Sequence, residues 1–409
     1  MKRNKVLLSA YSCEPGFSSE RGVGWNWTKE IVKYHDVWVL TRAANRQTIE
    51  YELNRNPVNG LNFIYFDFPP WFRFWKKGER GLYLYYLLWQ MVSIFVARRY
   101  HRKIKFDVTH YLTFGSVMLP HFIFLMPTKI ILGPIGGGGQ APLSFLGQFS
   151  LKGKINEILR HSIQFIYKFN PLLHLAFKKA DMILLRDQET LNMVPQKLWH
   201  KSMLFLETAV PPELLNYNIN ECKTQGLVIV VVGRFLHSKI NVLTLKILQS
   251  FKNKYKKPFK VFIVGDGSER QRLDEFLDKN DIKENVEITG WLEREKVFEI
   301  LTQSSIYMST SFKEGGSWAL FEAIMMELPV VCFGVGGPDV LIQDGCGIKI
   351  DVKNSKQVIE DFSSGLLQVA QSKILRISMA QNAKTHLLQN YTWDEMGQKM
   401  GKIYENILS

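Results

Sequence analysis

Apolar runs of strand length recur through the second half of the chain, and the stretches between them carry apolar residues at helical spacing. The runs are Leu227–Val232, Phe259–Val264, Val286–Thr289, Ile306–Ser309 and Pro329–Phe333. Two of the amphipathic stretches between them are Ser268–Leu277 and Arg294–Gln303. Apolar strands that alternate with amphipathic helices indicate a parallel, doubly wound α/β sheet.

The first half shows the same alternation more loosely. Its predicted strands lie near Val6–Ala10, Val37–Leu40, Asn62–Phe66, Val108–Tyr111, Lys129–Leu132 and Met182–Leu185. A polar segment with two consecutive prolines, residues 207–225, has the composition of a linker. We therefore predict two Rossmann-like lobes, the first over residues 1–206 and the second over residues 226–385. Residues 386–409 are expected to form a C-terminal helix that packs back on the first lobe.

Length and composition fit two domains in a reducing compartment. At 409 residues the chain is too long for one ordinary core, and its 46% hydrophobic content is enough for two domains. Its four cysteines, at positions 13, 222, 332 and 346, lack the spacing of a zinc site or a disulfide framework. The apolar start is shorter than a signal-peptide core, and the longest apolar stretch, Leu82–Ala97, is shorter than a membrane span of about 20 residues. We expect a cytoplasmic protein in which Leu82–Ala97 is a packed helix of the first lobe.

Two glutamates eight positions apart carry the clearest functional signal. In the run KEGGSWALFEAIMMELPVV, Glu314 precedes a Gly-Gly turn and Glu322 falls within an apolar helical pattern. A loop carboxylate and a helix carboxylate that face one cleft can accept hydrogen bonds from different sugar rings, and the free N–H groups of the helix start favour a phosphate. The structural alternative is a capping glutamate and a solvated helix-face glutamate.

Two cations follow the first strand of the second half. The segment VVGRFLHSKIN places Arg234 and Lys239 five residues apart after Gly233. At a strand-to-helix turn such a pair can clamp a diphosphate and stabilise charge on a leaving group, although two solvated loop cations fit the sequence equally well. Farther along, the glycines of segment 334–337 allow close approach of the backbone to a nucleotide or to a neighbouring loop.

Glycines and a histidine stand out in the first half. Gly22 and Gly24, in FSSERGVGWNW, permit a tight turn beneath a phosphate, without the G-x-G-x-x-G spacing of a nicotinamide site. His110 ends the strand FDVTHYL and is expected to point toward the ligand-binding edge, although a lone histidine is more often structural. The segment GPIGGGGQ, residues 133–140, suits either acceptor entry or packing between domains.

Together these motifs resemble those of the retaining nucleotide-sugar glycosyltransferases of family four, which have the GT-B fold. The resemblance covers nearly the whole chain and rests on GRF followed by Lys239, VGDG, the Glu314/Glu322 pair and LPVV followed by GGP. In the first half, YSCEPG, SERGVGWNW and LGPIGGGG resemble a subgroup that assembles bacterial polysaccharides. The resemblance implies two Rossmann-like lobes that face a central cleft, with the nucleotide sugar on the second and the acceptor on the first.

The resemblance also implies roles for the site residues. Arg234 and Lys239 would hold the diphosphate, while Glu322 would bind the ribose hydroxyls and Glu314 those of the donor sugar. The implied catalytic residues are His110, Glu314, Arg234 and Lys239. The implied donor-binding residues are Gly22, Gly24, Gly233, Arg234, Lys239, Glu314, Gly315, Gly316, Ser317 and Glu322.

Within that set, Gly24 would approach the phosphate and His110 the donor sugar. The chain departs from the family at two positions. The Gly-Phe-Gly that often follows the first glutamate is Gly-Gly-Ser at 315–317, and Ile240 replaces the glycine that commonly follows the clamp lysine. These departures bear on donor shape and loop conformation more than on the class of reaction.

The implied reaction transfers a sugar from a nucleoside diphosphate to an acceptor hydroxyl with retained anomeric configuration, and the leaving phosphate helps to take the acceptor proton. The chain has no Asp-x-Asp, and Arg234 and Lys239 can supply the charge that a divalent ion supplies elsewhere, so we expect no metal and no other cofactor. The alternatives are an epimerase or a phosphorylase on the same two lobes, or a sugar-binding scaffold without activity.

The formal net charge of +14 comes without a nucleic-acid-binding motif, so we expect no nucleic-acid partner. Between Trp71 and Lys105, nine basic residues stand among aromatic side chains against one acid, Glu79. They occupy positions 73, 76, 77, 80, 98, 99, 102, 103 and 105. Six more lie in Ala141–Lys179, where Glu157 is the one acid.

Basic and aromatic side chains on amphipathic segments suit an anionic membrane surface. We therefore expect a protein that is peripheral on the inner face of the cell membrane, with a lipid-linked or growing saccharide as acceptor. Core aromatics with solvated cations are the alternative.

Overall fold

The computed structural model describes residues 3–16, 20–76, 78, 80–217 and 226–409. Two residues of the basic segment, Lys77 and Glu79, lie outside this part of the chain, as do Cys222 and the rest of segment 218–225 in the predicted linker. The chain divides into two compact units. The first comprises Met1–Gly138, Gln164–Glu207 and Trp393–Ser409, and the second comprises Gly139–Ile163 and Thr208–Thr392.

Strands alternate with helices along most of the chain. The strands are β1 (Lys5–Ser9), β2 (Asp36–Arg42), β3 (Leu61–Phe66), β4 (Val108–Tyr111), β5 (Lys129–Ile135), β6 (Met182–Leu185), β7 (Ser202–Leu204), β8 (Leu227–Val232), β9 (Phe259–Val264), β10 (Val286–Gly290), β11 (Ile306–Ser309), β12 (Val330–Phe333) and β13 (Gly347–Ile350).

The α-helices are α1 (Glu20–Ile31), α2 (Arg46–Arg55), α3 (Leu82–Ile104), α4 (Leu151–Tyr167), α5 (Pro171–Lys179), α6 (Gln188–Leu191), α7 (Val242–Lys254), α8 (Arg270–Asp278), α9 (Arg294–Gln303), α10 (Trp318–Met325), α11 (Gly336–Leu341), α12 (Ser355–Gln371), α13 (Lys373–Asn390) and α14 (Trp393–Leu408). Short 3-10 helices cover Ala43–Asn45, Pro70–Arg73, Ile123–Leu125, Leu143–Gln148, Gln196–Lys201, Pro212–Leu214 and Asp281–Asn285.

Each unit contains one parallel sheet. Among the described residues, the first sheet has the strand order β3-β2-β1-β4-β5-β6-β7 and the second β10-β9-β8-β11-β12-β13. Every pairing between neighbouring strands is parallel. In both sheets successive strands are added first on one side of the initial strand and then on the other. This reversal of the strand order lies between β1 and β4 in the first sheet and between β8 and β11 in the second. Ligands of open α/β sheets bind at the carboxyl ends of the strands that flank such a reversal.

The prediction of two α/β units with parallel sheets is confirmed. Each predicted strand is present, and the bounds differ by a few residues at most. Leu82–Ala97 is helical, and the helix, α3, continues to Ile104. The sequence patterns missed β7 and β13, because each is a strand of three or four residues at a sheet edge and neither has a continuous buried run.

The observed units differ from the predicted lobes in residues 139–163, which group with the second unit rather than with the first. Phe145 and Phe149 belong to the core of the second unit, and their ring centroids lie 4.9 and 5.9 Å from that of Phe312. Ser144 Oγ also donates to the carbonyl of Lys353 over 2.8 Å. The segment therefore belongs to the second unit because its aromatic side chains are part of the core of that unit, although it lies within the first half of the sequence.

The last helix groups with the first unit. The ring of Trp393 packs edge-on against Trp27, with centroids 5.5 Å apart, and Tyr404 is fully buried against His110. Residues 386–392, at the start of the predicted C-terminal segment, belong to the second unit. None of the helices in the described part of the chain combines the length and the apolarity that membrane crossing requires.

Candidate functional site

The best-defined polar site lies at the carboxyl ends of β8 and β11. These two strands are neighbours in the second sheet and flank the reversal in its strand order. The loop after β8 carries Lys239 and ends at α7, where the side chain of Asn241 forms a capping box with Thr244. The loop after β11 carries Glu314 and ends at α10. Two parallel strands thus place side chains 75 positions apart in sequence at one edge.

Lys239 and Glu314 form the centre of this site. Nζ of Lys239 donates to Oε1 of Glu314 over 2.6 Å, and the two side chains are only 21% and 15% exposed. Because both groups are largely withdrawn from water, their attraction is screened less than that of a surface ion pair. The charge of Lys239 is therefore already balanced within the protein.

Arg234, the other predicted cation, follows Gly233 and has an exposed side chain. In the described part of the chain Arg234 has no carboxylate within ion-pair distance. Its positive charge can thus serve a ligand, whereas that of Lys239 is shared with Glu314. A small cavity at this edge is lined by Val232, Gly233, Lys239, Thr310, Ser311 and Glu314.

The glycine turn after Glu314 is held from one side by Thr208. A Cβ atom on Gly316 would lie 1.6 Å from Oγ1 of Thr208, so no side chain fits at this position. Ser317 is the N-cap of α10, and its side chain makes no capping hydrogen bond. The Gly315-Gly316-Ser317 turn is therefore shaped by its neighbours within the protein.

A second glycine pair packs against the same turn. Cβ atoms on Gly336 and Gly337 would lie 2.5 and 2.0 Å from the carbonyl oxygens of Glu314 and Gly315. The N–H of Gly337 donates to the carbonyl of Glu314 over 2.7 Å. Of the two interpretations of segment 334–337, these glycines fit close approach to a neighbouring loop, because that loop carries Glu314.

Glu322 lies in α10 and is 6% exposed. Its Oε1 accepts a hydrogen bond from Nε of Arg294 at 3.0 Å and lies 2.9 Å from Nη2 of the same guanidinium, and Arg294 also pairs with Glu213. Burial raises the pKa of Glu322, and the neighbouring Arg294 opposes this rise. Sequence reasoning missed Arg294, because an arginine at the start of an amphipathic helix carries no signal of a partner 28 positions away.

His110 corrects an expectation, because its side chain is not open to a ligand. Its side chain is fully buried in the first unit, where Nδ1 lies 2.7 Å from the hydroxyl of Tyr404 and Nε2 lies 2.5 Å from the carbonyl of Gly133. Burial lowers the pKa of His110 to about 4. Both ring nitrogens are occupied within the core, so the structure gives His110 a packing role.

Gly22 and Gly24 correct a second expectation, because they lie within α1 and not in a turn. Both are buried, and a Cβ atom on Gly24 would lie 2.2 Å from the carbonyl oxygen of Ser12. Gly24 thus allows α1 to pack closely on the loop after β1. In the segment 133–140, Gly133 has φ +117° and a Cβ there would lie 2.1 Å from the carbonyl oxygen of Leu184, which also indicates packing.

The described residues contain no group of three or more His, Cys, Asp or Glu side chains arranged to hold a metal ion.

Comparison with known proteins identifies the same part of the chain. Residues 217–386 match the family model described as glycosyl transferases, group 1. The matched region includes the Lys239/Glu314 pair and Glu322. The match agrees with the prediction of glycosyltransferase motifs in the second half of the chain.

Curated relatives are similar over part of their length. An uncharacterised glycosyltransferase of Methanocaldococcus jannaschii is 23% identical over 63% of this chain and 66% of its own. One component of the phosphatidylinositol N-acetylglucosaminyltransferase of Homo sapiens is 28% identical over 44% of this chain and 37% of its own. The amylovoran biosynthesis glycosyltransferase AmsD of Erwinia amylovora is 32% identical over 38% of this chain and 42% of its own. The chain thus spans less than two thirds of the length of each.

Solved structures share the fold over the full length of the chain. The lipopolysaccharide outer core galactosyltransferase WaaB has a TM-score of 0.63 at 13% identity and covers 98% of this chain and 99% of its own. Anabaena HepE, solved with UDP and glucose, has a TM-score of 0.56 at 14% identity and covers 99% of this chain and 100% of its own. Likeness at such low identity shows the fold alone, and the predicted GT-B class is confirmed.

Proposed function

We propose that the protein is a retaining glycosyltransferase that moves a sugar from a nucleoside diphosphate to an acceptor hydroxyl in the synthesis of a cell-surface saccharide. The observation that carries the proposal is the Lys239/Glu314 pair at the strand-order reversal of the second sheet, within the region that matches the group 1 glycosyltransferases. The polysaccharide role is supported by AmsD, a relative named for amylovoran biosynthesis.

Charge around the pair suits a diphosphate that becomes a leaving group. Arg234 brings an exposed cation to the loop after β8, and Lys239 adds two further N–H donors beyond the one that it gives to Glu314. Negative charge develops on the leaving phosphate as its bond to the sugar breaks, and fixed cations stabilise that charge without reorganisation. We propose that these two residues replace a divalent metal ion.

The two glutamates would recognise different parts of the donor. The carboxylate of Glu314 keeps one oxygen for sugar hydroxyls, since Lys239 binds the other. Glu322 uses Oε1 for Arg294, which leaves Oε2 to accept hydrogen bonds from the ribose. In this proposal Arg294 orients Glu322 and opposes the rise in its pKa that burial causes.

The proposed reaction balances without a nucleophile from the protein. The bond between the anomeric carbon and the diphosphate oxygen breaks, and a bond from the same face of that carbon to the acceptor oxygen forms. The acceptor proton passes to the leaving diphosphate. His110 has no part in these steps, because both of its ring nitrogens are engaged in the core of the first unit.

A donor panel tests the proposal. UDP-glucose, UDP-galactose, UDP-N-acetylglucosamine and GDP-mannose are compared for thermal stabilisation of the protein and for slow hydrolysis of the donor. One donor should stabilise the protein and release its nucleoside diphosphate, faster in the presence of a saccharide acceptor. An isomerised donor sugar without acceptor would indicate an epimerase instead, and binding without turnover would indicate a scaffold protein.

We further propose that the protein attaches to an anionic membrane and acts on a lipid-linked acceptor. Helix α4 supports this, since its apolar face is exposed and its buried face is polar. The exposed apolar residues are Leu151, Ile155, Ile158, Leu159, Ile163, Phe165 and Ile166. Gly153, Glu157 and Gln164 are buried instead.

The charge of this segment favours an anionic lipid surface as the occupant of the apolar face. Glu157 is the one acidic residue of segment 141–179, and it is fully buried, so the exposed charges of the segment are all basic. Each basic residue near an anionic surface contributes about 1 kcal/mol of attraction.

Two further observations support membrane attachment. In the first unit, Trp71 and Phe74 are also exposed, at 75% and 77%. The human relative, named for transfer to phosphatidylinositol, supports a lipid acceptor.

Flotation with anionic vesicles tests membrane attachment. Binding to phosphatidylglycerol vesicles should fall steeply with added salt, because salt screens the attraction. Joint replacement of Ile155, Leu159 and Ile166 by serine should abolish binding and leave donor hydrolysis intact. Ile374→Ser is the control, since this isoleucine is 83% exposed on α13, outside the apolar face of α4. A protein that ignores these vesicles even at low salt would contradict the proposal.

A further inference from the structure

One buried carboxylate, that of Glu157 in α4, lies beside both loops of the candidate site. Glu157 is fully buried. Its Oε2 accepts from Nζ of Lys313 over 2.5 Å and lies 3.0 Å from Nε2 of His237, while Oε1 accepts from the N–H of Ala141 over 2.8 Å. His161 is a further titratable group nearby, with Nε2 at 3.9 Å from Oε1. Both carboxylate oxygens are therefore engaged.

The first link runs from Glu157 through Lys313 to Glu314. Lys313 directly precedes Glu314, and its side chain is only 16% exposed. A lysine side chain bound at its tip to a buried carboxylate has little freedom, and this restricts the backbone from which Glu314 projects. The position of the Glu314 carboxylate therefore depends on a residue that does not contact it.

The second link runs from Glu157 through His237 to the loop that carries Lys239. His237 lies two positions before Lys239, and its carbonyl accepts from the side chain of Asn241 over 2.6 Å. Helix α4 approaches it closely, since a Cβ atom on Gly153 would lie 2.6 Å from Cβ of His237. Glu157 thus holds one residue on each of the two loops.

The two loops are also hydrogen-bonded to each other. The N–H of Phe312 donates to the carbonyl of Ser238 over 2.9 Å, and Oγ1 of Thr310 donates to the carbonyl of Lys239 over 3.1 Å. The loops therefore form one connected assembly, with Glu157 as its buried ionic partner.

We propose that Glu157 is a positioning residue of the donor site, which acts through Lys313 and His237 to fix the geometry of the Lys239/Glu314 pair. This inference rests on the proposed function, since it assigns Glu157 to the same donor site. The signal in the sequence was a single acid within a basic segment, which gave no indication of its partners. Misplacement of a site group by about 1 Å can cost on the order of 100-fold in rate.

A double-mutant cycle in the full-length protein tests this role. The variants are Glu157→Gln, Lys313→Met and the combination of the two, and turnover of the UDP-glucose, UDP-galactose, UDP-N-acetylglucosamine and GDP-mannose panel is measured with each. Each single variant should lose about 10- to 100-fold in kcat/KM. The double variant should be no worse than the poorer single variant, because both substitutions break the same link. Lys313→Arg keeps the cation and should retain more turnover than Lys313→Met.

Glu269→Gln is the matched control for the loss of a buried carboxylate. Glu269 lies in the second unit, is 1% exposed, and binds Ser150 and Arg272 with its carboxylate rather than a residue of the two site loops. The Glu269→Gln variant should have a lower melting temperature than the wild type, and its kcat/KM should stay within about twofold of the wild-type value. If Glu157→Gln affected the site only through overall stability, the two variants would behave alike.

The possible failures are distinguishable. A folded Glu157→Gln protein with turnover within about twofold of an active wild type would overturn the positioning role and leave the proposed function standing. Losses that multiply in the double variant would also overturn it. A wild type that neither binds nor turns over any of the four donors would contradict the proposed function itself.

Discussion

At the scale of single residues, the site pairs charges instead of leaving them free for a ligand. Lys239 binds Glu314, Arg294 binds Glu322, and Lys313 binds Glu157. Arg234 is different, because its side chain is exposed and has no ion-pair partner in the part of the chain that the structure describes. Removal of a paired residue therefore leaves a buried charge behind, whereas removal of Arg234 does not.

This difference gives a prediction for the two cations. Arg234→Ala should cost about 2.7–4 kcal/mol of transition-state stabilisation, or roughly 100- to 1000-fold in turnover, by analogy with the loss of an oxyanion donor. Its melting temperature should stay close to that of the wild type, while Lys239→Ala should lose both turnover and stability. Steady-state kinetics and thermal unfolding measure the two effects. Lys283→Ala, an exposed cation of the same unit, is the control, and an Arg234→Ala protein as active as this control would show that Arg234 is an ordinary surface residue.

The buried carboxylate of Glu157 gives a prediction about pH. Burial raises the pKa of Glu157, but hydrogen bonds from His237 and Lys313 outweigh burial and lower it from 4.5 to about 2. The ionised carboxylate therefore stabilises the fold above pH about 4.5, and this contribution of about 3 kcal/mol is lost as the pH falls toward about 2.

Urea unfolding between pH 6 and pH 2.5 measures this contribution. The difference in unfolding free energy between the wild type and Glu157→Gln should narrow as the pH falls. Glu299→Gln is the control, since this carboxylate is 55% exposed and pairs with Lys296 at the surface. A gap between wild type and Glu157→Gln that stayed constant over this range would mean that folding does not lower the pKa of Glu157.

At the scale of elements, two loops and the start of α10 owe their shape to glycines that lie close against neighbouring residues. Gly316 lies against Thr208, and Gly336 and Gly337 lie against the backbone of Glu314 and Gly315. The glycines thus let three segments of the second unit pack closely behind Glu314.

Gly316→Ala should therefore displace the Glu314 loop. Its new Cβ would lie 1.6 Å from Oγ1 of Thr208, and overpacking of this kind costs about 1–3 kcal/mol. Both the melting temperature and kcat/KM should fall, and Thr208→Ala in the same protein should restore part of each. Gly147→Ala is the matched control, because no atom lies within 4 Å of its Cβ position. Equal behaviour of the two alanine variants would rule out Thr208 as the constraint.

At the scale of the whole molecule, the chain forms two α/β units, each with a parallel sheet. Its formal net charge is +14, and its sequence contains no Asp-x-Asp. The positive charge near the candidate site comes from side chains, Arg234 and Lys239. In the proposed mechanism these side chains take the electrostatic role of a divalent ion.

Turnover should consequently be independent of metal. Donor hydrolysis and transfer should continue at rates within about twofold of the untreated protein after EDTA treatment. The control is a metal-dependent glycosyltransferase, assayed in the same buffer with the same donor. Loss of activity that magnesium or manganese restores would overturn the metal-free mechanism.

The sequence by itself determined the elements and the class of fold. Apolar runs predicted the interior strands of both sheets, because a strand buried on both faces must be apolar along its length. The same reasoning placed Lys239 and Glu314 after strands of one sheet, although their contact with each other was not predicted. These predictions succeeded because they depend on local periodicity and on a rule for where strands end.

Tertiary structure decided what depends on distant partners. It buried His110 against Tyr404, placed Arg294 on Glu322, and brought Glu157 to Lys313 from 156 positions away. It also moved residues 139–163 into the second unit, where Phe145 and Phe149 find a core. A charged or aromatic residue has the same appearance in a sequence whether it faces water or a partner. Only the packing of segments far apart in the chain selects between the two, because burial and pairing are properties of the folded chain.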